Sequence, residues 1–480
     1  MSEISNIEGT TICACATGNA SGAVAVVRIS GPETFNILTK IFKPKRDADV
    51  RQLPGYSLLY GEIHEQDGTI LDDVLVSIFK APHSYTGEDS AEISCHGSHY
   101  IVQSLLSLLV EHGATYAAGG DFTKRAFLNG KMDLAQAEAV CDLIASETEA
   151  SHNVAMKQMR GGFSKELEQM RTNLLQIVSL LELELDFSEE EVQFADRKEL
   201  QKLLDDSCSQ INSLISSFKL GNAIKNGVPV AIVGATNTGK STLLNAMLGE
   251  DRAIVSSIAG TTRDTIEDNV NIGGSLFRFI DTAGIRHTTQ TIEMMGIERT
   301  WKKFRESSVI ILMLDATRED AISPSLSSVA EKFDSKKQQL IVIANKTDRI
   351  SLSQAEALED LVREACKKLK LKPQGLISTS LKKEPESSRK QIETILTNIG
   401  KGFCADIQCK TYVTNLRHYQ ALKDAQSSVE RVFAGIDSNL PTDLLAQDLR
   451  EATDSLGSII GEISSQDVLS NIFSHFCIGK

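Results

Sequence analysis

The sequence predicts an α/β and α multidomain chain. An N-terminal α+β domain comes first, followed by a helical domain split into two stretches, with a doubly wound α/β domain inserted between them. Three observations carry this prediction. The first 125 residues hold short strand-like runs cut by Gly and Pro. Two long stretches have apolar residues three and four apart. Between them strand-like and helical runs alternate, and the first such strand opens into "GATNTGKS".

Each element follows from its pattern. "AVAVVRISGP", "LDDVLVSIF" and "DSAEISCHG" read as strands, and "YIVQSLLSLLVEHG" as a helix among them. From Asp133 the texture turns helical. Leu167, Met170, Leu174, Ile177 and Leu181 form the seam of a long packed helix. The acidic run "ELELDFSEEE" ends that helix, and helices resume through about Phe218. At Val228 strands return: "VPVAIVG", "FRFIDTAG", "SVIILMLDAT" and "QQLIVIANKTD". Strands alternating with helices mean a parallel sheet. Beyond Asn398 the chain is helical, with Leu416, Tyr419, Leu422, Val429 and Phe433 on one face. Two apolar stripes need partners, and pairing them makes one discontinuous helical domain. The expected boundaries are 1–125, 126–226, 227–398 and 399–480.

Composition bounds the function. The 480 residues suffice for about three domains. Hydrophobic residues are 41% and charged residues 24%, the balance of a globular chain. No signal peptide and no membrane-length apolar run is present, so a cytoplasmic protein is expected. Nine scattered cysteines fit free thiols in a reducing compartment. A net charge of -14 argues against a nonspecific nucleic-acid coat but leaves room for a local basic patch. The ending "FCIGK" has a cysteine fourth from the end, yet Gly479 and Lys480 break the prenylation pattern. A lipid anchor is therefore not expected.

The chemistry lies in the inserted domain. "GATNTGKS" spans Gly234 to Ser241 and fits a phosphate loop. Its glycines let backbone N–H groups wrap phosphates, Lys240 reaches the β and γ oxygens, and the Ser241 hydroxyl suits Mg²⁺. In "DTAG", Asp281 can hold the metal through water and the Gly284 amide can read the γ-phosphate. In "NKTD", Asp348 can accept two hydrogen bonds from guanine, a pair adenine lacks. Together these imply GTP. "GTTRD" supplies Thr262 as a second Mg²⁺ ligand and γ-phosphate sensor. Ile285 stands where a glutamine would orient the attacking water, so Glu293 on a nearby segment is the candidate for that task. The transition-state charge also needs a cation. Arg263 or Arg286 could supply it, or a monovalent ion held by Asn237 and switch-loop oxygens.

"VVRISG", "YTGEDSAEISCHG", "FTKRAFLNGKMDLAQAEAV", the nucleotide motifs and "FCIGK" occur in this order on one chain. In this order the chain resembles the MnmE (TrmE) family of tRNA-modification GTPases over its whole length. The resemblance implies a tetrahydrofolate-binding-like N-terminal domain that mediates homodimerisation. It implies a Ras-like P-loop GTPase domain inserted in the helical domain. It further implies a flavoprotein partner similar to MnmG, forming a heterotetramer and carrying the FAD. The pair would place an aminomethyl-type group on carbon 5 of the tRNA wobble uridine, the folate supplying the one-carbon unit. No membrane partner is expected.

Site residues carry over by motif. K⁺ falls to Asn237, the Ser256 and Ile258 carbonyls, and Thr261. Mg²⁺ falls to Ser241 and Thr262, and water positioning to Glu293. GTP contacts extend over Thr238, Gly239, Lys240 and Thr242, and over Ser257, Ala259 and Gly260. Asp281, Thr282, Ala283, Gly284, Asn345, Lys346, Asp348 and Ser378 complete them. Folate falls to Arg28, Glu92, Lys131 and Lys480, the three cations suiting carboxylates and Glu92 the pterin. Cys477 is expected at a helix end near that pocket, with a nucleophilic, stabilising or packing role.

Two departures stand out. Thr236 replaces the family's proline, loosening the loop. "ISTSLKK" keeps only Ser378 of the last guanine motif, though Thr379 and Ser380 can still offer backbone amides. Cys95-His96-x-x-His99 and Cys13-x-Cys15 have metal-like letters but lack the second pair of a closed zinc site. Cys404 and Cys409 read as packing or surface thiols. The rival functions are a ribosome-assembly GTPase switch and a folate enzyme with a regulatory GTPase domain.

Overall fold

The computed structural model describes residues 9–18, 22–186, 197–248, 267–280, 301–404, 411–438, 440–462, 466–474, 476, 478 and 479. They form two units. One comprises Met1–Ile144, Ala155–Gln210 and Ala421–Lys480, the other Ala145–Val154 and Ile211–Gln420. The expected segments 126–226 and 399–480 each fall partly in one unit and partly in the other, while 227–398 falls wholly in the second.

In the first unit, β1 (Ile12–Cys15), β2 (Val24–Ser30), β3 (Phe42–Pro44), β4 (Ser57–His64), β5 (Ile70–Phe79), β6 (Ser90–His96) and β7 (Thr115–Tyr116) form one sheet. Its order is β3-β4-β5-β6-β2-β1-β7, antiparallel except at β1–β7. Period-two alternation puts Val27, Ile29, Leu59, Ile63, Val74, Val76, Ile78 and Ile93 on one face, under helices Thr34–Ile41 and His99–Glu111. On the other face Ile12 and Ala14 pack with Phe122 of helix Asp121–Leu128. Farther along, Leu58 is 57%, Tyr60 51% and Leu75 42% exposed, with Tyr60 and Leu75 directly opposite each other on β4 and β5.

The helical stretches of this unit meet as expected. In helix Gly162–Asp186, Leu167, Met170, Leu174, Ile177 and Leu181 are all buried. Helix Thr442–Ile460 packs alongside it, burying Leu449, Leu456 and Ile459. Ion pairs Arg171–Glu462 and Arg450–Glu182 join the two. Helix Gln466–Ser474 leads to Phe476, and Phe473 and Phe476 pack on Leu134 and Ala137. One expected stripe needs correcting. In helix Leu416–Asp437, Leu422 and Val429 are buried but Leu416 is 69% exposed. Leu416 is the first helical residue, and Ala425, Ser428 and Val432 complete the buried face instead.

The second unit holds β8 (Val228–Val233), β9 (Glu267–Ile272), β10 (Ser275–Ile280), β11 (Val309–Asp315), β12 (Gln339–Asn345) and β13 (Gly375–Thr379). The order is β13-β12-β11-β8-β10-β9, parallel except for the β9–β10 hairpin. The central strands are buried on both faces, as near-continuous apolar runs require. Ile310, Leu312, Leu314, Leu340 and Val342 face Leu326, Val329, Leu358 and Val362 of helices Ile322–Ala330 and Leu352–Lys368. Ile311, Met313, Ile341 and Ile343 face Leu243, Met247, Ile392 and Leu396 of helices Lys240–Leu248 and Pro385–Cys404. This is the doubly wound sheet the alternation predicts. No helix among the described residues is long and apolar enough to cross a membrane.

Candidate functional site

In open α/β sheets ligands bind beyond the carboxyl ends of the strands. There, β8 runs into the phosphate loop. Gly234, Asn237 and Gly239 have φ of 150°, 61° and 104°. Positive-φ residues spaced through a tight loop turn successive backbone N–H groups toward one point, a nest for anions. Two glycines are required by space as well. A Cβ on Gly234 would lie 2.3 Å from the Met313 carbonyl oxygen, and one on Gly239 would lie 2.3 Å from Asn345 Nδ2. Lys240 Nζ donates to the carbonyls of Gly234 (2.8 Å) and Ala235 (2.6 Å), and burial pushes its pKa down. Ser241 and Thr242 lie exposed in the first turn of the helix after the loop. A phosphate fits this cradle, and the Ser241 hydroxyl fits its counter-cation, oxygen being the donor Mg²⁺ prefers.

The base side is built by one side chain. Asn345, ending β12 and 5% exposed, donates from Nδ2 to the Thr238 carbonyl (2.8 Å). Its Oδ1 accepts from the Leu381 amide (3.1 Å). Asn345 thus ties the phosphate loop to the turn after β13. Asp348 is held nearby, accepting from the Ser380 hydroxyl at 2.8 Å with Lys383 Nζ 3.9 Å away. Lys346, at φ 68°, pairs with Asp315 at 2.5 Å. Burial pushes the Asp315 carboxyl up, but hydrogen bonds from Lys346 and Thr317 outweigh that and hold it below its ordinary value.

In the first unit a second cluster forms on the sheet face opposite the main core. Arg28 and Glu92 are cross-strand neighbours and pair at 2.7 Å and 3.0 Å. The Arg28 guanidinium lies over Tyr85 and Phe122, 5.4 Å and 5.5 Å from their ring centres. Its Nη1 donates to the Gly479 carbonyl at 3.2 Å, and Ile478 bridges to Gly119. The C-terminal tail therefore lies against this cluster. Lys131 is placed elsewhere on the same loop system, donating to the Pro82 carbonyl at 2.9 Å. A cation, an acceptor and two aromatic rings fit a pterin-like ligand, though Arg28 and Glu92 would meet one end of it rather than two.

Comparison with known proteins decides the family. The family model for the GTP-binding protein TrmE N-terminus matches residues 11–131, and that for the MnmE helical domain matches 134–477. A tRNA modification GTPase MnmE from Bacteroides thetaiotaomicron is 50% identical over 98% of this chain and 99% of its own length. Those of Parabacteroides distasonis and Flavobacterium johnsoniae are 46% and 47% identical over 98% of this chain, and over 100% and 99% of their own. The chain belongs to the MnmE family. A GTP-binding protein of Sulfolobus solfataricus in complex with GDP aligns with 48% of this chain and 67% of its own at 19% identity. Its TM-score is 0.28, too low to add to the MnmE placement.

For an MnmE family member the structure then sorts the expected residues. Asn237, Thr238, Gly239, Lys240, Ser241, Thr242, Asn345, Lys346 and Asp348 gather at one end of the second sheet. Ser378 does not join them through its side chain: its hydroxyl donates to Glu359 at 2.9 Å, and Ser380 reaches Asp348 instead. Ser256 through Thr262, Arg263, Asp281 through Gly284, Ile285, Arg286, Glu293, Cys409, Cys477 and Lys480 lie outside the described residues. Among the described residues no three His, Cys, Asp or Glu side chains gather as a metal site. Burial pushes the Cys13 thiol up to about 12 and the Cys95 thiol to about 11. His96 gives Nδ1 to Asp72 at 2.7 Å. Sequence reasoning assigned no role to Asp315, signalled only by its place at the end of its strand, nor to Tyr85 and Phe122, which open two of the quoted motifs.

Proposed function

We propose that the chain binds and hydrolyses GTP in the service of tRNA modification. The observation that carries this is the bridge from Thr238 through Asn345 to Leu381, which joins a phosphate nest to the carboxylate of Asp348. Each charge-assisted hydrogen bond from guanine to that carboxylate contributes about 1.5–3 kcal/mol. Adenine offers no matching pair, so the selectivity for guanine follows. The MnmE relatives, similar end to end, support the tRNA part.

The finer reading extends this. The chain acts as a cytoplasmic homodimer with the four-part domain division, paired with an MnmG-like flavoprotein that holds FAD. Together they modify carbon 5 of the wobble uridine, using a tetrahydrofolate derivative at Arg28, Glu92, Lys131 and Lys480. Lys240 and the loop amides bind the β and γ oxygens, and Glu293 orients the attacking water. Mg²⁺ on Ser241 and Thr262 would supply charge neutralisation. K⁺ on Asn237, Ser256, Ile258 and Thr261 would supply the cation that an arginine finger provides elsewhere. The tail at Gly479, resting on Arg28, supports a place for Cys477 near the folate cluster.

Nucleoside analysis of tRNA from cells lacking this gene tests the reading. Loss of the modified wobble uridine is expected, and an unchanged profile would overturn it. Hydrolysis should run at least about tenfold faster in K⁺ than in Na⁺, and equal rates would remove the cation from the mechanism.

A further inference from the structure

We propose that the end of the second unit's sheet remote from the phosphate loop docks the phosphate backbone of tRNA. This rests on the reading that the chain serves tRNA modification. Three segments enter the parallel strands there. Residues 302–306 precede β11, 331–337 precede β12 and 367–374 precede β13. They carry ten Lys or Arg and three Glu or Asp, on a chain whose net charge is -14.

The fold brings these segments to one place. Gln338 donates from Nε2 to the carbonyls of Phe304 (2.6 Å) and Ser307 (3.0 Å), sewing the second segment to the first. The Gln339 amide bonds Ser308 at 2.8 Å, and the Gln374 amide bonds Leu340 at 2.7 Å, which adds the third. Lys219, from the helix before β8, reaches the Lys337 carbonyl at 3.0 Å. Arg305, Lys332, Lys336, Lys370 and Lys372 are exposed, and among the described residues none of them is in an ion pair. The acids on these turns are Glu306, Glu331 and Asp334, and Asp334 already faces Lys337 at 3.8 Å.

The chemistry favours nucleic-acid backbone over a protein partner. Protein interfaces are depleted in Lys and anchored by buried aromatic residues. This surface is Lys-rich, and its aromatic side chains pack inward: Phe304 is buried, Phe333 and Trp301 lie against the core, and Lys332 Nζ sits over the Trp301 ring at 4.1 Å. With no ring free to stack on a base, the surface meets phosphates and is indifferent to sequence. Strand β11 is seven residues long, which sets the surface about 20 Å from the phosphate loop. That exceeds the screening length of about 8 Å at physiological salt. Bound RNA and bound GTP would therefore not compete by charge.

The test uses the full-length protein with three reversals, Lys336→Glu, Lys370→Glu and Lys372→Glu. A control carries Lys40→Glu, Lys43→Glu and Arg46→Glu on the first unit, for the same change in net charge. tRNA binding is measured by filter retention across a salt series, with GTP hydrolysis alongside. The patch variant should bind tRNA at least about tenfold more weakly, with a log–log salt slope shallower by about 2. The control should bind as the wild type does, and all three should hydrolyse GTP alike. Equal tRNA binding by the patch variant and wild type would overturn the proposal. So would equal losses in both variants, no tRNA binding by the wild type, or lost binding only to an acidic protein or anionic vesicles. None of these touches the wobble-uridine profile, which judges the function separately.

Discussion

Gly239 shows how much one missing methyl group can decide. Its φ is 104°, and a Cβ would press on Asn345 Nδ2 at 2.3 Å. Non-glycine residues in left-handed conformations cost about 1–2 kcal/mol. The larger cost would come from moving Asn345, which is buried and holds both Thr238 and Leu381. Gly239→Ala should therefore weaken GTP and GDP binding at least about tenfold, a loss of about 1.4 kcal/mol or more. Titration with a fluorescent guanine nucleotide measures it, and wild-type affinity would refute the packing argument. The motif letters announced Gly239 and Asn345 separately. Their contact was not legible, because it crosses more than a hundred residues of chain. The Ser378 side chain illustrates the converse. It matched a motif letter, yet the strand's alternation turns it to Glu359.

At the scale of elements, the seam of helix Gly162–Asp186 gives a register-sensitive test. Leu174 is fully buried, and its neighbour Leu175 is 40% exposed. Removing a buried leucine costs its transfer energy plus the cavity left behind, about 2–5 kcal/mol. Leu174→Ala should lower the first thermal transition by several degrees, and Leu175→Ala should leave it within error. Similar shifts from the two would mean that the helix packs in another register. This element was readable, since apolar residues three and four apart report which face an element buries. The exposed Leu416 marks the limit of that logic at a helix's first turn, where too few neighbours remain to cover the side chain.

At the scale of the whole molecule, the exposed sheet face of the first unit bears on assembly. Leu58, Tyr60 and Leu75 are apolar, adjacent across β4 and β5, and at least 42% exposed. Apolar groups clustered on an antiparallel sheet face favour a covered state. Leu75→Glu with Tyr60→Glu should convert the proposed homodimer to a monomer, read by light scattering with size exclusion. A mass unchanged by the double substitution would place the dimer contact elsewhere. Local GTP binding should persist in the monomer, since the nucleotide side chains described above all lie in the second unit.

Taken alone, the residue order determined the sheet and helix classes, the phosphate nest and the guanine carboxylate, because those depend on spacing within a few residues. Tertiary structure alone decided that Gly479 rests on Arg28, 451 positions away, and that three lysine-bearing turns share one end of a sheet. The reason is physical. The entropy of closing a loop grows only with the logarithm of its length, so no local pattern need mark where a distant segment docks. Periodicity shows that a face must be covered, and packing chooses what covers it.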